Sequence, residues 1–304
     1  MHRSKDYTLT FNIMETIYLD ILKDVLETGE KRMTRNGTTY SKFFKTISFN
    51  MDDGFPLITT KKMFWKGVVE ELLFFIRGDT NTNILSDKGI KIWESNTRLE
   101  FLDFMGLKYE EGDMGPMYGY QWRKFNKPYN VSENNIINDN GIDQLKYIIN
   151  EIKTNPTSRR ILMTDFNPSQ VNQGVLYPCH SIVIQFYVEN SNTVPILSCS
   201  MYQRSSDLFL GEPFNIASTS LLLCIVSQLV GLKPGMVHLV LGDCHIYDEH
   251  IDAVKEQLSR VPLKLCKLKI KEFTTLEQVE MAVLGDFILE DYISHPAIKA
   301  KMIA

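Results

Sequence analysis

Apolar residues return at helical spacing in several parts of the chain. Ile17, Ile21, Leu22 and Val25 recur every three or four positions, which marks one face of an amphipathic helix that Gly29 is placed to end. Leu145, Ile148, Ile149 and Ile152 mark a second such helix. Gly67 to Ile76 is strongly apolar and predicts a buried helix, yet it carries Glu70 and Glu71, at least one of which is expected to face water. Ile216 to Val230 is apolar on nearly every side and predicts a core helix. A period of two replaces this spacing elsewhere. Ile182, Ile184, Phe186 and Val188 alternate, as do Leu197, Cys199 and Met201, which predicts two strands joined across a turn containing Pro195. Phe43 to Met51, with Ile47 and Phe49, is a further strand-like run. Strands and helices do not interleave regularly, so the fold expected is α+β. No repeat period and no Pro/Gly/Ser-rich linker divides the sequence. Residues 1–304 therefore read as one domain, with an Asn- and Asp-rich surface insertion at about 130–141.

Composition narrows the class. Apolar residues make up 44% and charged residues 23% of the 304 positions, the profile of a folded chain with room for a rigid pocket. The 33 basic and 37 acidic side chains leave a net charge of −4, so no global positive field draws the protein to nucleic acid or anionic lipid. An anionic ligand has to be held by local arginines. Leu221 to Val226 is too short a run for a bilayer, which takes roughly 20 apolar residues. The first residues lack an apolar run of signal-peptide type. Five cysteines, odd in number and without a CxxC pair, argue against a disulfide framework or structural zinc. A reducing, cytoplasmic setting is the expectation.

Several residues stand where chemistry could sit. Cys179, in Tyr177-Pro178-Cys179-His180 before a strand, reads as a nucleophile favoured by nearby cations or as a small buried hydrophobe. Arg35, Arg159, Arg160 and Arg204 read as forked phosphate binders, with Ser205 adding a hydroxyl, or as solvated surface charges. Glu71 on its apolar helix is expected to have a raised pKa suited to proton transfer. Asn215 could read a ring edge or cap a helix. His245 and Tyr247 alternate and would share one face of a strand.

Taken together these segments resemble the thymidylate synthase family, from about Tyr18 to the C-terminus. The strongest stretch runs from Leu197-Ser198-Cys199 through Tyr202-Gln203-Arg204-Ser205 to Pro213-Phe214-Asn215-Ile216-Ala217-Ser218. Pro178-Cys179-His180, Gly115-Pro116-Met117-Tyr118-Gly119, Gln121-Trp122-Arg123, Gly242-Asp243 with His245-Ile246-Tyr247, and Asp53-Gly54-Phe55-Pro56-Leu57 belong to the same pattern. The resemblance implies a single α+β domain on a large mixed sheet, two subunits packing sheet to sheet, and methylation of dUMP with 5,10-methylenetetrahydrofolate. It implies that Cys179 adds to C6 of uracil, that Glu71 and Tyr118 manage the proton transfers, and that Trp93 covers the exocyclic methylene. Arg204 and Arg35 would hold the phosphate with Ser205, and Arg159 and Arg160 would reach it from the partner subunit. Asn215 would read the uracil edge, and His245 with Tyr247 the ribose hydroxyl. Asp207 would hold the pterin and serve catalysis, and Lys61 would meet the folate tail. The C-terminal residues would close over the site. No metal, membrane or nucleic-acid partner is implied.

The chain departs from the pattern in places. Phe74 stands where the family usually has Trp, Tyr177 where it has Pro or Ala, and Asp165-Phe166 where it has Ala-Trp. Glu212 takes a normally apolar position, Ser294 precedes His295-Pro296 where Pro is expected, and the chain ends Met302-Ile303-Ala304. Phe74 and the tail predict weaker folate binding than in a typical relative. Two rival readings are a pyrimidine hydroxymethyltransferase, which Trp93 and Asn215 argue against, and a non-catalytic nucleotide- or RNA-binding homologue, which the intact Cys179, Glu71, Arg204 and Asn215 argue against.

Overall fold

A computed structural model describes residues 12–129, 141–190 and 194–303. The chain begins with α1 (Ile13–Thr28), β1 (Glu30–Thr34), β2 (Gly37–Asn50) and α2 (Trp65–Arg77), followed by α3 (Asn83–Ser86), α4 (Glu94–Thr97) and α5 (Leu99–Phe104). Next come α6 (Gly119–Lys124), α7 (Gln144–Thr154), β3 (Leu162–Met163), β4 (Val183–Glu189) and β5 (Ile196–Asp207). The order closes with α8 (Gly211–Val230), β6 (Lys233–Tyr247), α9 (Ile251–Leu258), β7 (Lys267–Ile270), α10 (Leu276–Glu280) and β8 (Phe287–Glu290). The periodic segments of the sequence fall on α1, α2, α7, α8, β4 and β5. The Asn-rich insertion lies outside the described residues except for Gly141.

Six strands form one mixed sheet in the order β1-β2-β6-β5-β4-β3, and β7 pairs with β8 alone. All pairings in the large sheet are antiparallel except β5 with β6. That parallel pair is joined through α8, because parallel neighbours cannot be closed by a tight turn. One sheet face is covered. Ile47, Phe49, Ile184, Phe186, Leu197, Met201, Val237, Leu239 and Leu241 are all nearly inaccessible there, and α1, α2 and α8 belong to the same core cluster. By length and composition α8 could cross a membrane, but two thirds of it is buried in this core against β5, β6 and α2. The opposite face is open: Leu162, Val183, Tyr187 and Tyr202 share it by register and are 36% to 64% exposed.

Local chemistry sets the element ends. The Asn12 side chain accepts from Glu15 N at 3.0 Å and caps α1. Gly78 ends α2 at φ 72°, the left-handed conformation that a Cβ disfavours. Glu15 then ties α1 to the segment before α2. It is fully buried and accepts from Thr59 N, Thr59 Oγ1 at 2.6 Å, Thr60 N at 2.6 Å and Asn12 Nδ2 at 2.8 Å. The C-terminal segment docks on the same place, with His295 N donating to Thr59 O at 2.8 Å. An amide has one acceptor oxygen where the carboxylate has two. Glu15→Gln is therefore expected to destabilise the fold by on the order of 2–4 kcal/mol, read as a lower urea midpoint at unchanged slope.

Candidate active site

Cys179 is fixed to the sheet by its backbone. Its carbonyl accepts from Arg204 N at 2.8 Å and Ser205 N at 3.3 Å, both on β5. Its thiol lies 3.3 Å from the Tyr118 hydroxyl, which also accepts from Cys179 N at 3.2 Å. Tyr118 stacks on Phe75, at 5.1 Å, and on His180, at 4.5 Å, and these two rings also meet at 6.3 Å. Tyr118 sits at φ 41°, a conformation that costs a side-chain-bearing residue roughly 1–3 kcal/mol. The backbone there is pressed onto α2: a Cβ on Gly119 would stand 2.4 Å from the Phe75 carbonyl oxygen.

The charge environment of Cys179 differs from the expectation. Burial pushes the thiol up, and it outweighs the Tyr118 hydrogen bond and the Arg204 charge, which both favour the thiolate. The nearby cation is present, but the net shift favours the thiol. Glu71 matches its expectation: burial raises it to about 7 against the hydrogen bond from Trp93 Nε1 at 2.9 Å. Of the pair, Glu71 is the one with partial access to water, and Glu70 is not. It is buried and takes Lys88 Nζ at 2.5 Å. Trp93 lies 5.8 Å from Tyr118, so Glu71, Trp93, Tyr118 and Cys179 form one connected group.

The arginines divide. Arg204, on β5, donates Nε to Pro178 O at 3.1 Å and a terminal nitrogen to Tyr177 O at 3.2 Å, placing its guanidinium beside the nucleophile segment. Arg35 is exposed at the tip of the β1–β2 turn, whose Thr39 pairs with Tyr247. Arg159 and Arg160 are exposed just before β3. The register sets Arg160 level with Ser198 on β5, six residues from Arg204. At about 3.3 Å per residue that is a separation of roughly 20 Å along the strands. Arg159 and Arg160 therefore do not join Arg204 within one chain. None of these four guanidiniums is ion-paired to an acid among the described residues.

The parallel register brings the other groups together. Ser205 pairs with Asp243, and Asp207 with His245. The His245 and Tyr247 rings meet edge to face at 5.1 Å, as their alternation suggested. Asp207 Oδ1 accepts from Phe209 N at 2.9 Å and Leu210 N, and Oδ2 takes no hydrogen bond among the described residues. Asn215 is the fifth residue of α8, whose N-cap is Leu210, so the capping alternative fails. Its Nδ2 donates to Gln203 Oε1 at 2.6 Å.

Lys61 and Phe74 both face the interior in this structure. Lys61 is buried, with Nζ donating to the Phe209 carbonyl and lying 3.7 Å from that ring's centroid. Burial lowers it to about 7 despite Asp207, and its ammonium is turned inward rather than presented to a folate tail. Phe74 is fully buried against Phe75, so its replacement of Trp is a change in core packing rather than in a ligand-lining surface. Tyr177 points outward, bonded to Asn172 at 2.5 Å. Among the described residues no group of three or more His, Cys, Asp or Glu is arranged to hold a metal ion.

His180 and Asp165 were not singled out for a role. His180 was visible beside Cys179, but its stack on Tyr118 was not, and burial lowers it to about 4. Asp165 is buried with neither oxygen hydrogen-bonded, and burial holds its carboxyl well above the usual range. A pKa raised above the unfolded value gives stability that is fully present below about 3.8 and is lost as pH rises. Asp165→Ala is therefore expected to raise stability at neutral pH by on the order of 1–3 kcal/mol. That gain should shrink toward nothing by about pH 4 in urea melts at several pH values.

A family model described as Thymidylate synthase matches residues 16–304. The Saccharomyces cerevisiae Thymidylate synthase is 45% identical over 96% of this chain and 97% of its own length. The Homo sapiens Thymidylate synthase is 46% identical, over 95% of this chain and 90% of its own. A Bifunctional dihydrofolate reductase-thymidylate synthase of Leishmania major is 45% identical over 96% of this chain, which spans 55% of it.

Proposed function

The chain belongs to the thymidylate synthase family, and from that premise we propose how its residues carry out the reductive methylation of dUMP to dTMP. The co-substrate is 5,10-methylenetetrahydrofolate, which supplies the one-carbon unit and the hydride and leaves as dihydrofolate. The reading takes residues 1–304 as one domain. The observation that carries it is the Cys179 thiol held 3.3 Å from the Tyr118 hydroxyl, with the Arg204 guanidinium bonded to the carbonyls of the same segment.

In this proposal the Cys179 thiolate adds to C6 of uracil, which makes C5 nucleophilic. Because burial disfavours the free thiolate, the Arg204 charge and the Tyr118 hydrogen bond act when the substrate has already excluded water. Glu71 takes the C5 proton, with Tyr118 beside it; a carboxyl poised near 7 can do this at neutral pH. Trp93, held by Glu71, covers the new methylene and excludes water from it. Asp207 Oδ2 is an open acceptor that suits a pterin N–H, and Asn215 faces the uracil edge. His245 and Tyr247 hold the ribose. The folate-tail role of Lys61 requires its side chain to leave Phe209. The C-terminal residues close over the folate.

Arg35, Arg204 and Ser205 bind the phosphate from one subunit, and Arg159 and Arg160 from its partner. The 20 Å register gap, again about six residues of strand, supports this arrangement, because one chain cannot bring all four arginines to one phosphate. The open sheet face with Leu162, Val183, Tyr187 and Tyr202 supports a homodimer packed sheet to sheet.

Incubation with C5-tritiated dUMP and 5,10-methylenetetrahydrofolate is expected to give tritium release and dihydrofolate in equal amounts. Tritium release without dihydrofolate would assign the chain to hydroxymethyl transfer instead. Since Glu71 must be ionised to take the proton, kcat/KM should fall below about pH 7, and Glu71→Gln should lower it by roughly 100-fold and remove that limb. Light scattering at micromolar concentration should give twice the 35.1 kDa chain mass; a value of 35.1 kDa would refute the shared phosphate site.

A further inference from the structure

Behind Asn215 lies a chain of buried polar groups that the reaction scheme does not use. Gln203, Ser206 and Glu212 are 0%, 1% and 0% exposed. Gln203 Nε2 donates to Glu212 Oε2 at 2.6 Å, and Ser206 Oγ donates to the same oxygen at 2.7 Å. On its other side, Gln203 Oε1 accepts from Asn215 Nδ2 at 2.6 Å. Glu212 stands on the first turn of α8, one helical turn before Asn215, where an apolar residue was expected.

We infer that Glu212 is a positioning residue that sets which end of the Asn215 amide faces the pyrimidine, and so favours a uracil nucleotide over a cytosine nucleotide. This rests on the reading that Asn215 meets the base edge. An isolated Asn or Gln amide can present either end, but a carboxylate oxygen only accepts. Gln203 must turn its NH2 toward Glu212, which leaves only its carbonyl facing Asn215. Asn215 must then turn its own NH2 toward Gln203. Reversing either amide would set two acceptors or two donors face to face in a buried place, at the full cost of unmade hydrogen bonds. Protonation does not release the chain. Burial raises Glu212 to about 7, but its Oε1 has no hydrogen-bond partner among the described residues and can take the proton while Oε2 goes on accepting.

The consequence for a ligand follows from the order of groups on the ring. With one N–H used by Gln203, Asn215 keeps a second N–H and its Oδ1, in fixed order, for the edge of a base. Uracil shows an acceptor, O4, beside a donor, N3–H. Cytosine shows a donor, the 4-amino group, beside an acceptor, N3. A fixed amide matches one edge and opposes the other, whereas an amide free to turn by half a revolution accommodates both.

The test is calorimetric binding of dUMP and of dCMP, without folate, to the full chain and to its Glu212→Leu and Glu212→Gln variants. Leucine suits the buried position but cannot accept, so the preference for dUMP over dCMP should narrow by about tenfold, the worth of one buried hydrogen bond. Glutamine keeps an acceptor oxygen for Gln203, and its preference should stay within about threefold of the parent. The inference is overturned if Glu212→Leu weakens both nucleotides equally or neither, or if Glu212→Gln loses the preference as fully as Glu212→Leu. A parent protein that binds neither nucleotide would instead refute the reading that Asn215 meets a base edge.

Discussion

Strands β5 and β6 run side by side in the same direction, and that pairing arranges the rest of the candidate site. A parallel pair needs a long crossover, here α8, and it sets the ends of both strands at one edge of the sheet. Arg204, Ser205 and Asp207 on one strand then stand beside Asp243, His245 and Tyr247 on the other. The crossover helix has to start at the same edge, which carries Asn215 and Glu212 into the group. Cys179 joins through its carbonyl, held by Arg204 and Ser205. An antiparallel pairing would send these residues to opposite ends of the molecule.

Burial decides the ionisation of this group more than any single charge does. Glu71, Glu212 and Lys61 are all brought to about 7, and His180 to about 4, each chiefly by removal from water. Groups near the midpoint of their titration at neutral pH exchange protons at little cost in free energy. The Cys179 thiol shows the other side of the same effect. A thiolate formed too early would be open to oxidation, and burial holds the thiol back despite Arg204.

The local parts of this arrangement were legible in the sequence, and the long-range parts were not. Helical spacing on Ile17 to Val25 and on Leu145 to Ile152, and alternation through β4 and β5, arise from one face being buried, a property each segment carries by itself. The raised pKa of Glu71 was legible for the same reason, since its neighbours along the helix are apolar. The partner of a buried group is another matter. Nothing near Lys61 announces the Phe209 carbonyl, and nothing near Glu70 announces Lys88. Asn215 read as well as a helix cap as a member of a helix, because the start of α8 at Gly211 lacks a capping side chain. The residues of the site were gathered chiefly by the family motifs, whose spacing encodes a fold that periodicity alone could not assemble.

Tyr118 combines a positive φ with a full aromatic side chain that stacks on Phe75 and on His180. A glycine would relax that backbone, but removing the buried ring would cost about 3–5 kcal/mol, more than the strain it relieves. The strain is therefore held in place by the same ring that carries the hydroxyl beside Cys179. Directed evolution of this chain for robustness should hold these positions fixed and take its gains from the outer surfaces of α1 and α7, where no ligand is expected.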